Sequence, residues 1–129
     1  MAKIERFEEM EAWKCARRIT QLIYQISSEG SFAKDFALVN QIRRAAISIM
    51  SNIAEGFERN GDKEFVQFLT ISKGSCGEVR AQLYVALDQK YVDESKFAEI
   101  ESKLVETSRM LSGLIKYLRQ SELKGSKFK

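Results

Sequence analysis

Residues 38 to 57 read Leu38-Val-Asn-Gln-Ile-Arg-Arg-Ala-Ala-Ile-Ser-Ile-Met-Ser-Asn-Ile-Ala-Glu-Gly-Phe57. On a helical wheel of about 100° per residue, Leu38, Val39, Ile42, Ala45, Ala46, Ile47, Ile49, Met50, Ile53, Ala54 and Phe57 cover an arc of roughly 200°. A helix facing a single core needs an apolar arc of only about 100°. The surplus implies burial on two sides, within the chain's own bundle or against a second chain. Gln41, Arg44, Ser48, Asn52 and Glu55 fill the remaining arc, and four of them, at i, i+7, i+11 and i+14, line one edge.

The rest of the chain repeats the helical period. A first helix is expected over about 8–28, with Ala12, Cys15, Ile19, Leu22 and Ile26 spaced as a bundle seam and Trp13 at its edge. Ser28 to Ser31 is a turn, and the segment quoted above belongs to a second helix over about 37–58. Gly61 stops it and Asp62 is expected to cap the next. A third helix over about 63–90 has a core stripe of Phe65, Phe68, Leu69, Ser72, Cys76, Val79, Leu83, Ala86 and Leu87. Asp93 caps a fourth over about 94–123, with its seam on Phe97, Leu104, Thr107, Leu111, Leu114 and Leu118 and a basic, disordered tail over 124–129. Four amphipathic helices joined by short connectors predict a single all-α domain, an antiparallel up-down-up-down four-helix bundle.

Composition agrees. The 129 residues contain no proline, which favours long helices, and 44% hydrophobic against 30% charged residues marks a globular chain. No apolar run reaches the ~20 residues of a membrane span, and the charged N-terminus lacks the apolar stretch of a signal peptide, so a cytoplasmic protein is expected. Cys15 and Cys76 fall on apolar faces and read as buried free thiols. The net charge is +3, but the residues from Lys116 onward carry +4, leaving the body near neutral.

The third helix has an unusual outer side. Thr70, Gly74, Gly77, Ala81 and Val85 align nearly opposite its core stripe without a charge among them. Glycine inside a helix costs about 1 kcal/mol relative to alanine, so two within one turn suggest a surface that another backbone approaches. With Arg43, Ile47, Met50 and Ala54 of the second helix, this row forms the expected oligomer interface.

Trp13, the run Gln41-Ile42-Arg43-Arg44-Ala45-Ala46-x-Ser48-Ile49-x-x-Asn52-Ile53-Ala54-Glu55-Gly56, then Phe65-x-x-Phe68-Leu69 and Gly74-Ser75-x-x-Glu78 together resemble the 23S rRNA-intervening-sequence protein family. The resemblance implies a four-helix bundle assembled as a ring, usually a homopentamer. It extends to the accessory variability determinant of diversity-generating retroelements, a basic ring associated with nucleic acid and a reverse transcriptase. The chain departs from its relatives at Ala33 and Ala37, where they tend to carry proline and glycine.

No catalytic, cofactor or metal site is expected. The chain has no histidine, the usual general base and the commonest zinc ligand. Gln41, Arg44, Ser48, Asn52, Glu55, Ser75 and Glu78 read as a polar seam between the second and third helices, with Arg44 paired to Glu78 across it. Arg17, Arg18, Arg59, Lys63, Lys73, Lys116, Arg119 and Lys124 are the candidates for contact with nucleic acid. The resulting expectation is a non-catalytic, homo-oligomeric interaction or scaffold protein; the alternative is an accessory protein that binds RNA or DNA through basic residues displayed on the oligomer.

Overall fold

The computed structural model describes the backbone of residues 3–128 and side chains as far as Ser121. Four helices form the chain: α1 (Glu11–Ser27), α2 (Phe36–Glu58), α3 (Asp62–Asp88) and α4 (Glu94–Phe128). Single 3-10 turns at Phe7–Glu9 and Phe32–Lys34 precede α1 and α2. Consecutive helices pack side by side and α1 closes the ring against α4. The antiparallel sense shows in the crossing bonds. Gln41 meets Gln82, Ser48 meets Ser75, and Arg80 meets Glu101. Along the α1–α4 junction, the Cys15 thiol donates to the Lys103 carbonyl.

The core is aliphatic. Ile19, Leu22, Ile23, Ile42, Ile49, Ile53, Leu69, Leu83, Ile100, Leu104 and Leu111 are all fully buried. The apolar arc of α2 is explained largely within one chain. α1 covers one side of the helix and α3 the other, so burial on two sides needs no second molecule for Leu38, Val39, Ile42, Ala45, Ala46, Ile49 and Ile53. Ile47 is left 40% exposed, and Met50 and Ala54 are half-buried.

The ends of the elements follow local chemistry. α1 begins at Glu11 rather than near Glu8, because Met10 is extended and buried and separates the 3-10 turn from the helix. The Asp35 carboxylate accepts from the Leu38 amide and caps α2. Asp93 does the same for α4, accepting from the Lys96 amide at 2.7 Å. Asp62 does not cap α3. The N-cap is Gly61 at φ 109°, a conformation suited to glycine, and Asp62 is the first helical residue, where its charge complements the helix dipole. Lys90 closes α3 in the left-handed region at φ 61°, letting the Tyr91 amide reach back to the Ala86 carbonyl. α4 continues to Phe128, past Leu123; that stretch has no proline and only Gly125 as a weak helix former. Of the tail expected to be disordered, Lys129 lies outside the described residues.

Gly56 sets how closely α2 approaches α3. A β-carbon there would lie 2.8 Å from Phe68 Cβ and 2.9 Å from Phe65 Cδ1. At the opposite end of the bundle, buried Phe32 stacks on Tyr91, whose hydroxyl donates to Asp35 at 3.0 Å. One connector is thereby tied to the other.

Candidate functional site

The polar seam assembles in part. Ser48 and Ser75 hydroxyls hydrogen-bond across α2 and α3 at 2.9 Å, and Asn52 Nδ2 donates to the Ser48 carbonyl and hydroxyl. Ser72, absent from the expected seam, donates to the Ile49 carbonyl from a fully buried position. Gln82, also unforeseen, bridges Gln41 and Glu78. Glu55 turns along its own helix to Arg59 at 2.9 Å.

Arg44 departs from expectation. It is exposed, and among the described residues no ion pair joins it to Glu78. Both line an open cleft of about 570 Å³ with Asn40, Gln41 and Ser48, where water solvates each charge and a buried partner is unnecessary. The neighbouring arginine is the anchored one. Arg43 donates to the hydroxyls of Ser27 and Ser28 and lies 4.4 Å over the Tyr24 ring, binding α2 to the C-terminal end of α1. A role for Arg43 in an oligomer interface must share the side chain with that anchor.

The outer row of α3 is open. Thr70, Gly74, Gly77, Ala81 and Val85 are exposed, and a β-carbon built on Gly74 or Gly77 meets nothing within 4 Å. Large apolar neighbours widen the row: Ile71 is 52% exposed, Tyr84 47% and Val85 45%. The row of α2 around Ile47 belongs to another face. Thr20 of α1 donates to the Ala46 carbonyl beside it, whereas Ser48 and Ser72 mark the side of α2 that meets α3.

The basic candidates separate into groups. Arg17 lies over the Trp13 ring at 5.8 Å, Arg18 donates to Gln21, and both border a cleft with Glu8. Arg59 is occupied by Glu55 and by the Phe68 ring, 5.1 Å away. Lys63 is exposed in the first turn of α3. The side chain of Lys124 lies outside the described residues. Lys73, Lys116 and Arg119 do converge, on an open cleft of about 460 Å³ between α3 and α4 that Thr70, Ser112, Ile115 and Gln120 complete. Ser112 and Gln120 are new, and a signal for them lies in the sequence: residues 107–121 contain Arg109, Lys116 and Arg119 but no acid.

The two cysteines are free. Burial pushes the Cys76 thiol up to about 12, so it stays protonated and unreactive at neutral pH.

A comparison with family profiles matches residues 8–113 to the 23S rRNA-intervening sequence proteins. The chain belongs to that family. No curated protein matches it. Among solved structures, the fold resembles a Bacteroides thetaiotaomicron protein of unknown function from the S23 ribosomal protein family. That match has a TM-score of 0.74 at 20% identity and covers 81% of this chain and 95% of the other. For this member of the family, the likeness establishes the four-helix fold. Among the described residues, no helix is long and apolar enough to cross a membrane.

Proposed function

We propose that this member of the family is a non-enzymatic interaction module that works as a homo-oligomer, with the outer face of α3 as its principal contact surface. The observation that carries this reading is the row Thr70, Gly74, Gly77, Ala81 and Val85, open and uncharged, with Ile71 and Tyr84 exposed beside it. Small residues at four of these positions permit close backbone approach, and the flanking apolar side chains supply area to bury. Two helix-interior glycines at which an added β-carbon would meet nothing are a stability cost for a lone molecule, and a neighbouring subunit gives that cost a purpose.

Sedimentation of the full chain at micromolar concentration tests it. The expected result is a discrete oligomer that Ala81→Arg dissociates without altering helical content. A wild-type monomer under those conditions would overturn the reading.

A further inference from the structure

We infer that the exposed face of α2 docks on the α3 row of a second copy, with Arg44 of one subunit opposite Glu78 of the next. The inference rests on the self-association proposed above and names the face that the α3 row receives. On α2, Phe36, Ile47 and Ala54 fall within about 20° of one another on the helical wheel. Phe36 is 73% exposed, more than any other large apolar side chain among the described residues, and Ile47 is 40% exposed. This face presents large apolar side chains where the α3 row presents glycine and alanine.

Heights along the bundle bring the two faces into register. Gln41 meets Gln82 and Ser48 meets Ser75, so these pairs lie level on antiparallel helices. Both helices rise about 1.5 Å per residue. Ile47 is then level with Cys76, between Gly74 and Gly77; Phe36 is level with Leu87, two residues from Val85; and Arg44 is level with Val79, next to Glu78. Two copies related by rotation about an axis along the bundle keep every residue at its own height. The neighbour's Ile47 therefore arrives at Gly74 and Gly77, where an added β-carbon meets nothing within 4 Å, and its Phe36 arrives beside exposed Val85. Pairing the α3 row with itself would set gap against gap and leave Phe36 and Ile47 in water.

Charge agrees with size. Over residues 36–54, α2 carries Arg43 and Arg44 and no acid. Arg43 is held by Ser27 and Ser28. Arg44 is exposed and, among the described residues, neither it nor Glu78 has an ion pair. Glu78 accepts from Gln82 at 3.4 Å. Arg44 and Glu78 both line the α2–α3 cleft. Rotation about the bundle direction turns that cleft toward the axis, or away from it, alike in every subunit. The neighbour's Arg44 thus reaches the junction on the side and at the height of Glu78. The pair sits at the rim, where water screens it, so it fixes the register of the contact more than it adds affinity.

The experiment places the photo-crosslinker p-benzoylphenylalanine at position 36 of the full chain and maps products by mass spectrometry in a mixture of isotope-labelled and unlabelled subunits. The expected product joins position 36 of one chain to residues 81–90 of another. A bond to α1, α2 or α4 of the second chain overturns the inference and leaves self-association standing, as does the absence of a mixed product from a protein that sediments as an oligomer. A wild-type monomer removes both. Charge reversal reads the ion pair. Arg44→Glu and Glu78→Arg are each expected to weaken self-association about tenfold. An equimolar mixture of the two variants restores opposite charges at every mixed junction, and its dissociation constant is expected to return to within about threefold of wild type. Mixing cannot rescue a pair made within one chain, so a mixture that associates no better than either variant overturns the inference.

Discussion

Gly56 and Gly74 sit in adjacent helices of the same hairpin, yet one added carbon should act oppositely on them. At Gly56 the new methyl would overlap Phe68 Cβ and the edge of Phe65, and Phe68 Cβ can withdraw only by moving the backbone of α3. Gly56→Ala is therefore expected to lower the unfolding free energy by about 1–3 kcal/mol, as overpacking does elsewhere. At Gly74 the methyl meets nothing, and the helix-propensity gain of about 1 kcal/mol is unopposed within the subunit. Gly74→Ala should raise stability at concentrations where subunits are separate. Urea denaturation of both variants at low protein concentration checks the pair. Equal effects would mean that α2 and α3 do not approach as closely at Gly56 as described.

The hairpin of α2 and α3 rests on short polar bonds more than on ions. Asn52→Ala removes both donations to Ser48 and should cost about 1 kcal/mol, whereas Arg44→Ala, at an exposed position without an ion-pair partner among the described residues, should fall within about 0.5 kcal/mol of wild type. Thermal melts distinguish them, and a large loss at Arg44 would restore the pairing with Glu78. The connectors give a pH signature. Tyr91 donates to the Asp35 carboxylate, and that bond, followed by desolvation and the carboxylate charge, raises its pKa above the ordinary 10.0. The folded state then keeps a proton that the unfolded chain releases. This contribution is complete below about pH 10 and is lost as pH rises through the raised value. Tyr91→Phe should flatten the fall in stability measured by denaturation across that alkaline range. Sequence periodicity revealed the four helices and most of the core because each helix buries one regular stripe, from Ile19 and Leu22 through Leu104 and Leu111. It could not distinguish Arg43 from Arg44. The two lie 100° apart on the wheel, and only the arrival of Ser27 and Ser28 beside α2 decides which is anchored. The Asp35–Tyr91 bond and the crowding at Gly56 were hidden for the same reason, since each joins segments whose alignment is set by the packed bundle. The basic cleft was half legible: Lys73, Lys116 and Arg119 stood out by charge, but their convergence requires α3 and α4 to lie antiparallel.

At the scale of the whole molecule, the wide apolar arc of α2 loses much of its force as evidence for self-association, because α1 and α3 cover most of it. What remains is two separate faces: Ile47 with Met50 and Ala54 beside α1, and the outer row of α3. A contact that joins two different faces is heterologous and propagates head to tail, closing into a ring when the rotation allows; a contact of the α3 row with itself would stop at a two-fold dimer. Two variants separate these arrangements. Ile47→Arg disables the α2 face and Ala81→Arg the α3 face. If subunits join face to face in the heterologous sense, each variant alone is monomeric, and an equimolar mixture forms a one-to-one heterodimer through the single junction with both surfaces intact. If the α3 row pairs with itself, Ile47→Arg alone remains a dimer, Ala81→Arg is a monomer, and mixing adds no species. Sedimentation velocity of the three samples reads the answer directly, and the heterodimer that appears only on mixing is the expected outcome.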